Sequence, residues 1–442
     1  MGKLAYKLWS DIINKRYLQD LYNNKICHKE AVGLDFVTTE AFSKELDDQI
    51  DIIVRKCHTC TYHFTDYRQL LISKGVGKPP RCISIPTIRD KLVLSALNEI
   101  ITGVYDKAVI TPMPQVLIQE ITDVINSKQF NTYIKLDIKS FYASINHKKL
   151  LKKVRAKIRK HQIYTLIEKA IKTETHAADT AHDKAEKEKG IPEGLSISNA
   201  LANLYLKNMD EHYSIEKVQF RYWRYVDDIL LLTTKEYVKT LECRIKSDIK
   251  KLDLEIEETK TKSAEIHQGF EYLGYRISDR AISVRKSTVI KLERAIEDVF
   301  RQYKRSQNPN KEYLTWKINL KATGFILENY KYGWVFFYSQ IDTLESLFHL
   351  DWFVQKMSDR YDVNDVSFKR FARAYHEIRN ALHETGYIPN LDTMSADDRR
   401  KIVKEIYGEN TDGKDDEWIN RRFRLLMKRE IRDIQKDVQP FS

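Results

Sequence analysis

Long apolar runs are missing from this chain, and none approaches the roughly 20 residues that a membrane-spanning helix needs. The opening Met1-Gly-Lys-Leu-Ala-Tyr-Lys-Leu-Trp9 breaks into charge too early for a secretory signal. Tyr6 stands where a myristoylation motif at Gly2 wants Ser or Thr. Cysteine is scarce, five in 442 residues, which in a signal-free chain points to reduced thiols and a cytoplasmic compartment. No membrane partner and no internal repeat are expected.

What is present describes a folded chain with a taste for polyanions. Apolar residues at 42% beside 31% charged ones exclude a disordered chain, and 442 residues allow a large core divided among several domains. Lys and Arg outnumber Asp and Glu by 75 to 63, a net charge of +12, which suits a partner whose phosphates release counterions on binding. The 25 Tyr and 17 Phe add stacking surfaces of the kind that single strands use.

The chain is organised around Tyr225-Val-Asp-Asp228. Aromatic and branched residues on both sides, from Phe220 to Thr234, predict two strands with the acidic pair at their reversal. Two bare carboxylates there are either a solvated turn or half of a divalent-metal site. The stretch Thr132-Tyr-Ile-Lys-Leu-Asp-Ile138 alternates as a strand and brings a third acid, Asp137, close to a strand end.

Upstream, Lys74-Gly-Val-Gly-Lys-Pro-Pro-Arg81 reads as a basic loop before the short strand Cys82-Ile-Ser-Ile-Pro86, either a solvated loop or a phosphate clasp. Leu92, Leu94, Ala96, Leu97, Ile100 and Ile101 predict a helix with one apolar stripe. Residues 175–189 carry no periodic apolar positions and predict a mobile loop. Gly190-Ile-Pro-Glu-Gly194 then opens a small-residue helix, Leu195–Leu206, fit for close backbone approach or for tight packing on a sheet. A helix over Val238–Leu254 follows, and Phe270–Ile277 reads as one strand bent at its internal glycine. Beyond residue 285 the pattern is helical, with a stripe at Val289, Leu292, Ile296 and Val299. Further helices are expected over 333–358, 366–384, 396–407 and 416–438, the third of these capped by Ser395 and stopped by Gly408. Cys57-His-Thr-Cys60 has no second matched pair and reads as ordinary thiols rather than zinc ligands.

In this order the blocks resemble the fingers and palm of a reverse transcriptase, of the bacterial group II intron-like lineage. The resemblance is carried by Gly33–Thr38, Arg81–Val93, Leu136–Ile145, Gly190–Gly194 with Ser198–Leu206, Tyr225–Asp228, and finally Lys260-Thr261 and Phe270–Tyr275. It covers about residues 15–280. It implies an α+β right-hand polymerase: an N-terminal extension and fingers over 1–130, a palm over 131–280 with a ferredoxin-like antiparallel sheet, a helical thumb over 281–360 and a helical region over 361–442.

The resemblance also implies roles. Asp137 and Asp227 would hold two Mg²⁺ ions (or Mn²⁺), with Asp228 completing the acidic cluster and the Ile138 carbonyl adding a ligand. Arg81, helped by Lys74 or Lys78, would hold the incoming triphosphate, and Lys260 would be the general acid for pyrophosphate. Tyr142 would crowd a ribose 2′-hydroxyl and select deoxynucleotides; Leu273 and Gly274 would form the primer grip. The family's Pro-Gln-Gly is Pro192-Glu193-Gly194 here, which puts a carboxylate beside the template base and nucleotide. The usual Ser-Pro after it is Ser198-Asn199.

The expected activity is RNA-directed DNA synthesis, with an RNA template, dNTPs and a DNA product as partners. An RNase H acid set and a C-x₂-C endonuclease module are not recognisable in the sequence. A group II-like domain with its own helical tail looks like the non-mobile bacterial enzymes of phage defence, which implies a dedicated noncoding RNA and a bacterial cytoplasm. The large apolar residues of Gly333–Asp351 are either a packed helical core or a surface for an oligomer or partner protein. Two rival readings remain open, template-independent or protein-primed synthesis and a maturase-like RNA-binding protein with a vestigial site.

Overall fold

The computed structural model describes residues 3–27, 31–73, 77, 79–177, 187–381 and 385–438. Lys74, Lys78 and the centre of the expected mobile loop, 178–186, lie outside them. The chain divides into two compact units, Met1–Pro112 with Gln129–Ala264, and Met113–Lys128 with Glu265–Ser442. Residues 113–128 and 265–280, grouped above with fingers and palm, thus pack within the second unit.

The first unit is built on a four-stranded sheet in the order Phe220–Tyr225, Asp228–Thr233, Thr132–Asp137, Lys262–Glu265, with the first two pairings antiparallel. Alternation decides its faces. Ile134, Leu136 and Ile138 enter the core with Ile229 and Leu231, so Lys135 and Asp137 share the opposite face. A three-stranded sheet pairs Tyr67–Ile72 antiparallel with Arg81–Ile85 and parallel with Thr175–His176. Residues 175–176, expected in a mobile loop, are therefore strand, fixed by a pairing more than 100 residues distant that local periodicity does not reveal.

The Ile88–Tyr105 helix is buried nearly all round rather than along a stripe, Lys91 and Val93 included. Its N-terminus is tied down by a buried acid. Asp90 accepts hydrogen bonds from the Tyr62 hydroxyl (2.7 Å), the Thr65 amide (3.1 Å) and the Thr87 hydroxyl (2.8 Å). Cys57 is buried in the same core, and His58 beside it bonds the Trp9 indole at 3.3 Å.

The second unit opens with an antiparallel sheet of Phe270–Tyr272, Tyr275–Ile277 and Ile282–Val284. Phe270–Ile277 is therefore a tight hairpin and not one bent strand. Its turn residues Leu273 and Gly274 both have positive φ, +49° and +83°, as a two-residue hairpin loop with native twist requires. Helices follow at Lys286–Arg305, Lys311–Thr323, Glu345–Arg360, Phe371–Asn380 and Asp416–Val438. The helix expected over 333–358 is broken after Phe337. There the chain turns to exchange hydrogen bonds between Asp342 and Ile282, which the strand offers and a helix would forfeit. Ser395 caps its helix with a reciprocal box to Asp398, and Gly408 follows at φ +68°. Buried ions join the Lys311–Thr323 and Asp416–Val438 helices: Lys317 meets Glu430 at 2.8 Å, and Lys321 meets Asp437 at 2.5 Å.

The mixed α/β fold with antiparallel sheets and a helical C-terminal region is the class expected from the sequence.

Candidate active site

The acidic pair sits where its flanks predict. Tyr225 pairs with Asp228, leaving Val226 and Asp227 as a two-residue loop. Val226 has φ +58°, a costly conformation for a β-branched residue, of order 1–3 kcal/mol. Arg224 braces it: one guanidinium nitrogen donates to the Val226 carbonyl at 2.8 Å, while two others grip the Asp210 carboxylate at 2.8 and 2.6 Å. Across the sheet Asp137 stands opposite Asp228, and the Ile138 amide donates to the Asp227 carbonyl at 3.0 Å. Three carboxylates from two distant stretches of the chain thus share one end of a strand pair.

Their electrostatics record the crowding. Burial raises the pKa of Asp227, and the Asp137 carboxylate raises it further. Asp228 is pushed up to about 6, again by burial, with Lys135 opposing at 3.3 Å. Lys260 Nζ lies 2.9 Å from Asp137 Oδ2. Burial alone would depress its pKa, but the hydrogen bond and charge of Asp137 leave it raised. Among the described residues no three acidic, His or Cys side chains are drawn in tightly as an ion cage. Asp137 is paired with Lys260 and Asp228 with Lys135. The donor set, hard oxygens crowded against their own repulsion, fits Mg²⁺ or Mn²⁺. The isolated bridge from Ile138 to Ile256 is closed through the carbonyls of Asp137 and Glu255, so it does not engage the Ile138 carbonyl.

The Arg81–Ile85 strand meets the Pro192–Gly194 loop beside this cluster's supporting elements. Arg81 Nε bonds the Glu193 carboxylate, and the Ser84 amide donates to the Glu193 carbonyl at 2.6 Å. Gly194 has φ +101°, and a Cβ there would lie 2.7 Å from Ile83 Cγ2, so only glycine lets the loop sit this close. Tyr142 is half-buried; its carbonyl accepts from the Ile191 amide at 2.8 Å and its hydroxyl reaches Asn199 Oδ1 at 3.5 Å. Burial, then Asp227 and Glu193, push its phenol up to about 12, so it stays neutral. In the second unit, the Leu273-Gly274 turn is seated against Tyr338, whose hydroxyl a Cβ at Gly274 would strike.

Residues 72–277 match the family model described as Reverse transcriptase (RNA-dependent DNA polymerase). They are a reverse transcriptase domain. The chain is 28% identical over 222 residues to the group II intron-encoded protein LtrA of Lactococcus lactis subsp. cremoris, covering 49% of this chain and 35% of that one. It is 31% identical over 223 residues to an uncharacterized 91 kDa protein in a cob intron of Schizosaccharomyces pombe, covering 49% and 27%. The chain therefore spans only about a third of the length of these relatives. With the protein YkfC of Escherichia coli it shares 24% identity over 340 residues, 66% of this chain and 85% of the other. A solved telomerase from Candida albicans aligns at TM-score 0.45 and 12% identity over 89% of this chain and 67% of that one.

Sequence reading passed over two parts of the reverse transcriptase domain's acidic end. Lys135, bound to Asp228, was findable, since it alternates with Asp137 on one strand and must share its face. Arg224 was not, because its role depends on meeting Asp210 from the Ser198–Ile215 helix.

Proposed function

We propose that this protein is an RNA-directed DNA polymerase that extends a primer with deoxynucleotides. The observation that carries the reading is Asp137 opposite Asp228, with Asp227 on the braced turn, inside the matched reverse transcriptase region. Asp137 and Asp227, with Asp228 and the Ile138 carbonyl, would hold two divalent cations, Mg²⁺ or Mn²⁺. When bound, these activate the primer 3′-hydroxyl and neutralise the triphosphate.

The rest is work for this chain's own side chains. The primer 3′-hydroxyl releases its proton to solvent as its oxygen bonds the α-phosphorus and the bond to pyrophosphate breaks, and Lys260 gives its own proton to the leaving oxygen. As a lysine ammonium it is protonated at neutral pH and has a proton to give. Arg81, with Lys74 or Lys78, binds the triphosphate. Tyr142 excludes a 2′-hydroxyl, while Leu273 and Gly274 position the primer end. On this reading 1–130 are the N-terminal extension and fingers, 131–280 the palm, 281–360 the thumb and 361–442 a further helical region.

A dedicated noncoding RNA is the proposed template and antiphage defence in a bacterial cytoplasm the proposed setting. What supports this is the pairing of a group II-like domain with a helical second unit that has its own core. That unit would also supply any oligomer or partner-protein surface. A second reading, synthesis without a template or from a protein primer, is kept open by Glu193 itself, a carboxylate where the family has Gln beside the template base. Purified protein given dNTPs and Mg²⁺ with intact or nuclease-digested RNA separates the two. Product that depends on RNA supports templated synthesis; product that survives complete digestion supports the second reading.

A further inference from the structure

The first unit holds a second basic site, with no residue in common with those assigned to polymerisation. A cavity of about 540 Å³ opens between the His147–Lys157 and His161–Lys172 helices. Lys148, Lys152 and Arg155 line it from one wall, spaced four and three residues apart and so on a single helix face. Lys172 and Lys187 line it from elsewhere, giving five cations against two carboxylates, Glu168 and Glu188. Glu168 is already bound to Lys172 at 3.0 Å. The Arg155 guanidinium lies 4.2 Å from the Tyr164 ring centroid, so one cation is fixed in place over an aromatic face.

A run of lysines on a helix is usually a solvated face, but three features set this one apart. It is concave, and of a volume that accommodates a nucleotide. The first turn of the His147–Lys157 helix has no acid to offset its positive end, and Asn146 caps it by accepting from the Lys149 amide. The wall is also built in advance. The His147 amide donates to the Glu188 carbonyl at 2.9 Å, the His147 ring meets the Gly190 carbonyl at 2.6 Å, and the Gly190 amide donates to the Ile145 carbonyl at 2.8 Å. These rungs hold residues 188–190 along 145–147, so little ordering is left for a ligand to impose.

We infer that this cavity is a phosphate-recognising site that takes one nucleotide unit, its phosphate on Lys148 and Lys152 and its base beside Tyr164. A free nucleoside triphosphate and a nucleotide within an RNA strand present the same chemistry, and the test tells them apart. The full chain is irradiated with 8-azidoadenosine triphosphate or with a 4-thiouridine single-stranded RNA, and labelled peptides are mapped. Lys148→Glu/Lys152→Glu and the milder Lys148→Gln/Lys152→Gln variants are compared, with circular dichroism melts to show that they fold.

Labelling of 147–172 is expected with at least one probe, falling at least tenfold in the Glu variant and in part in the Gln variant. For the strand, loss of two phosphate contacts also lowers the slope of log affinity against log salt by about 1.4. Labelling by the RNA alone assigns the site to a strand, and labelling by the triphosphate alone assigns it to free nucleotide. If neither probe labels the segment, or a folded Glu variant labels as the parent does, the inference is overturned. The readout is binding, so it stands whether or not the chain polymerises.

Discussion

Arg81 and Glu193, 112 residues apart in sequence, form an ion pair between the strand and the glycine loop of the reverse transcriptase domain. The expectation of a clear triphosphate clasp at Arg81 thus meets a resident competitor. A half-exposed pair of this kind is worth up to about 1 kcal/mol, a factor of about five in an equilibrium. Glu193→Gln should lower KM for dNTP by two- to fivefold, with kcat little changed, at about those limits. Steady-state kinetics at fixed template and primer check it; an unchanged or raised KM contradicts the competitor role.

Tyr142 is held by packing and by its reach to Asn199. Tyr142→Ala should raise ribonucleotide incorporation relative to deoxynucleotide by about tenfold or more, a steric discrimination of about 1.4 kcal/mol. Primer extension with each nucleotide set measures the ratio, and an unaltered ratio removes Tyr142 from sugar selection.

Asp90 gives a pH signature independent of catalysis. Burial pushes its pKa up to about 6, above the ordinary 3.8, despite hydrogen bonds from Tyr62, Thr87 and Thr65 that pull it down. A carboxyl with a raised folded-state pKa binds its proton more tightly when folded. Its contribution is therefore complete below about pH 4 and lost as pH rises through about 6. Asp90→Asn, neutral throughout, removes that loss. Between pH 4 and 7 the parent should lose stability relative to the variant, with no further divergence above pH 7. Melting curves that run parallel would contradict it.

Lys317 and Glu430 are both nearly buried, with Tyr407 donating to Glu430 at 2.9 Å. Lys317→Met leaves a buried carboxylate without its cation and should cost about 3–5 kcal/mol, whereas Lys317→Met/Glu430→Leu should recover much of that. Urea unfolding compares them; equal loss in single and double variants argues against a buried charge penalty.

Legibility in the sequence followed the range of the interaction. The hairpin at Val226-Asp227 and the capped helix from Ser395 to Gly408 are local events written in neighbouring residues. The Phe325–Leu327 and Tyr330–Tyr332 hairpin was missed because its turn, Glu328-Asn329, takes positive φ at both residues without a glycine. The π-helical turns at Tyr22–Ile26 and Ile402–Ile406 have no propensity signal of their own. At the acidic end, motif order picked out the three aspartates and Lys260, and strand alternation could have added Lys135, but the Arg81–Glu193 and Arg224–Asp210 pairs come from side chains meeting across the fold.

The most direct measurement is extension of a DNA primer on a defined RNA template by the purified chain with dNTPs and Mg²⁺. The account predicts template-length DNA from the parent, none after the RNA is digested, and none from folded Asp227→Asn/Asp228→Asn. Full-length product from that double variant, or from the parent without RNA, would contradict it.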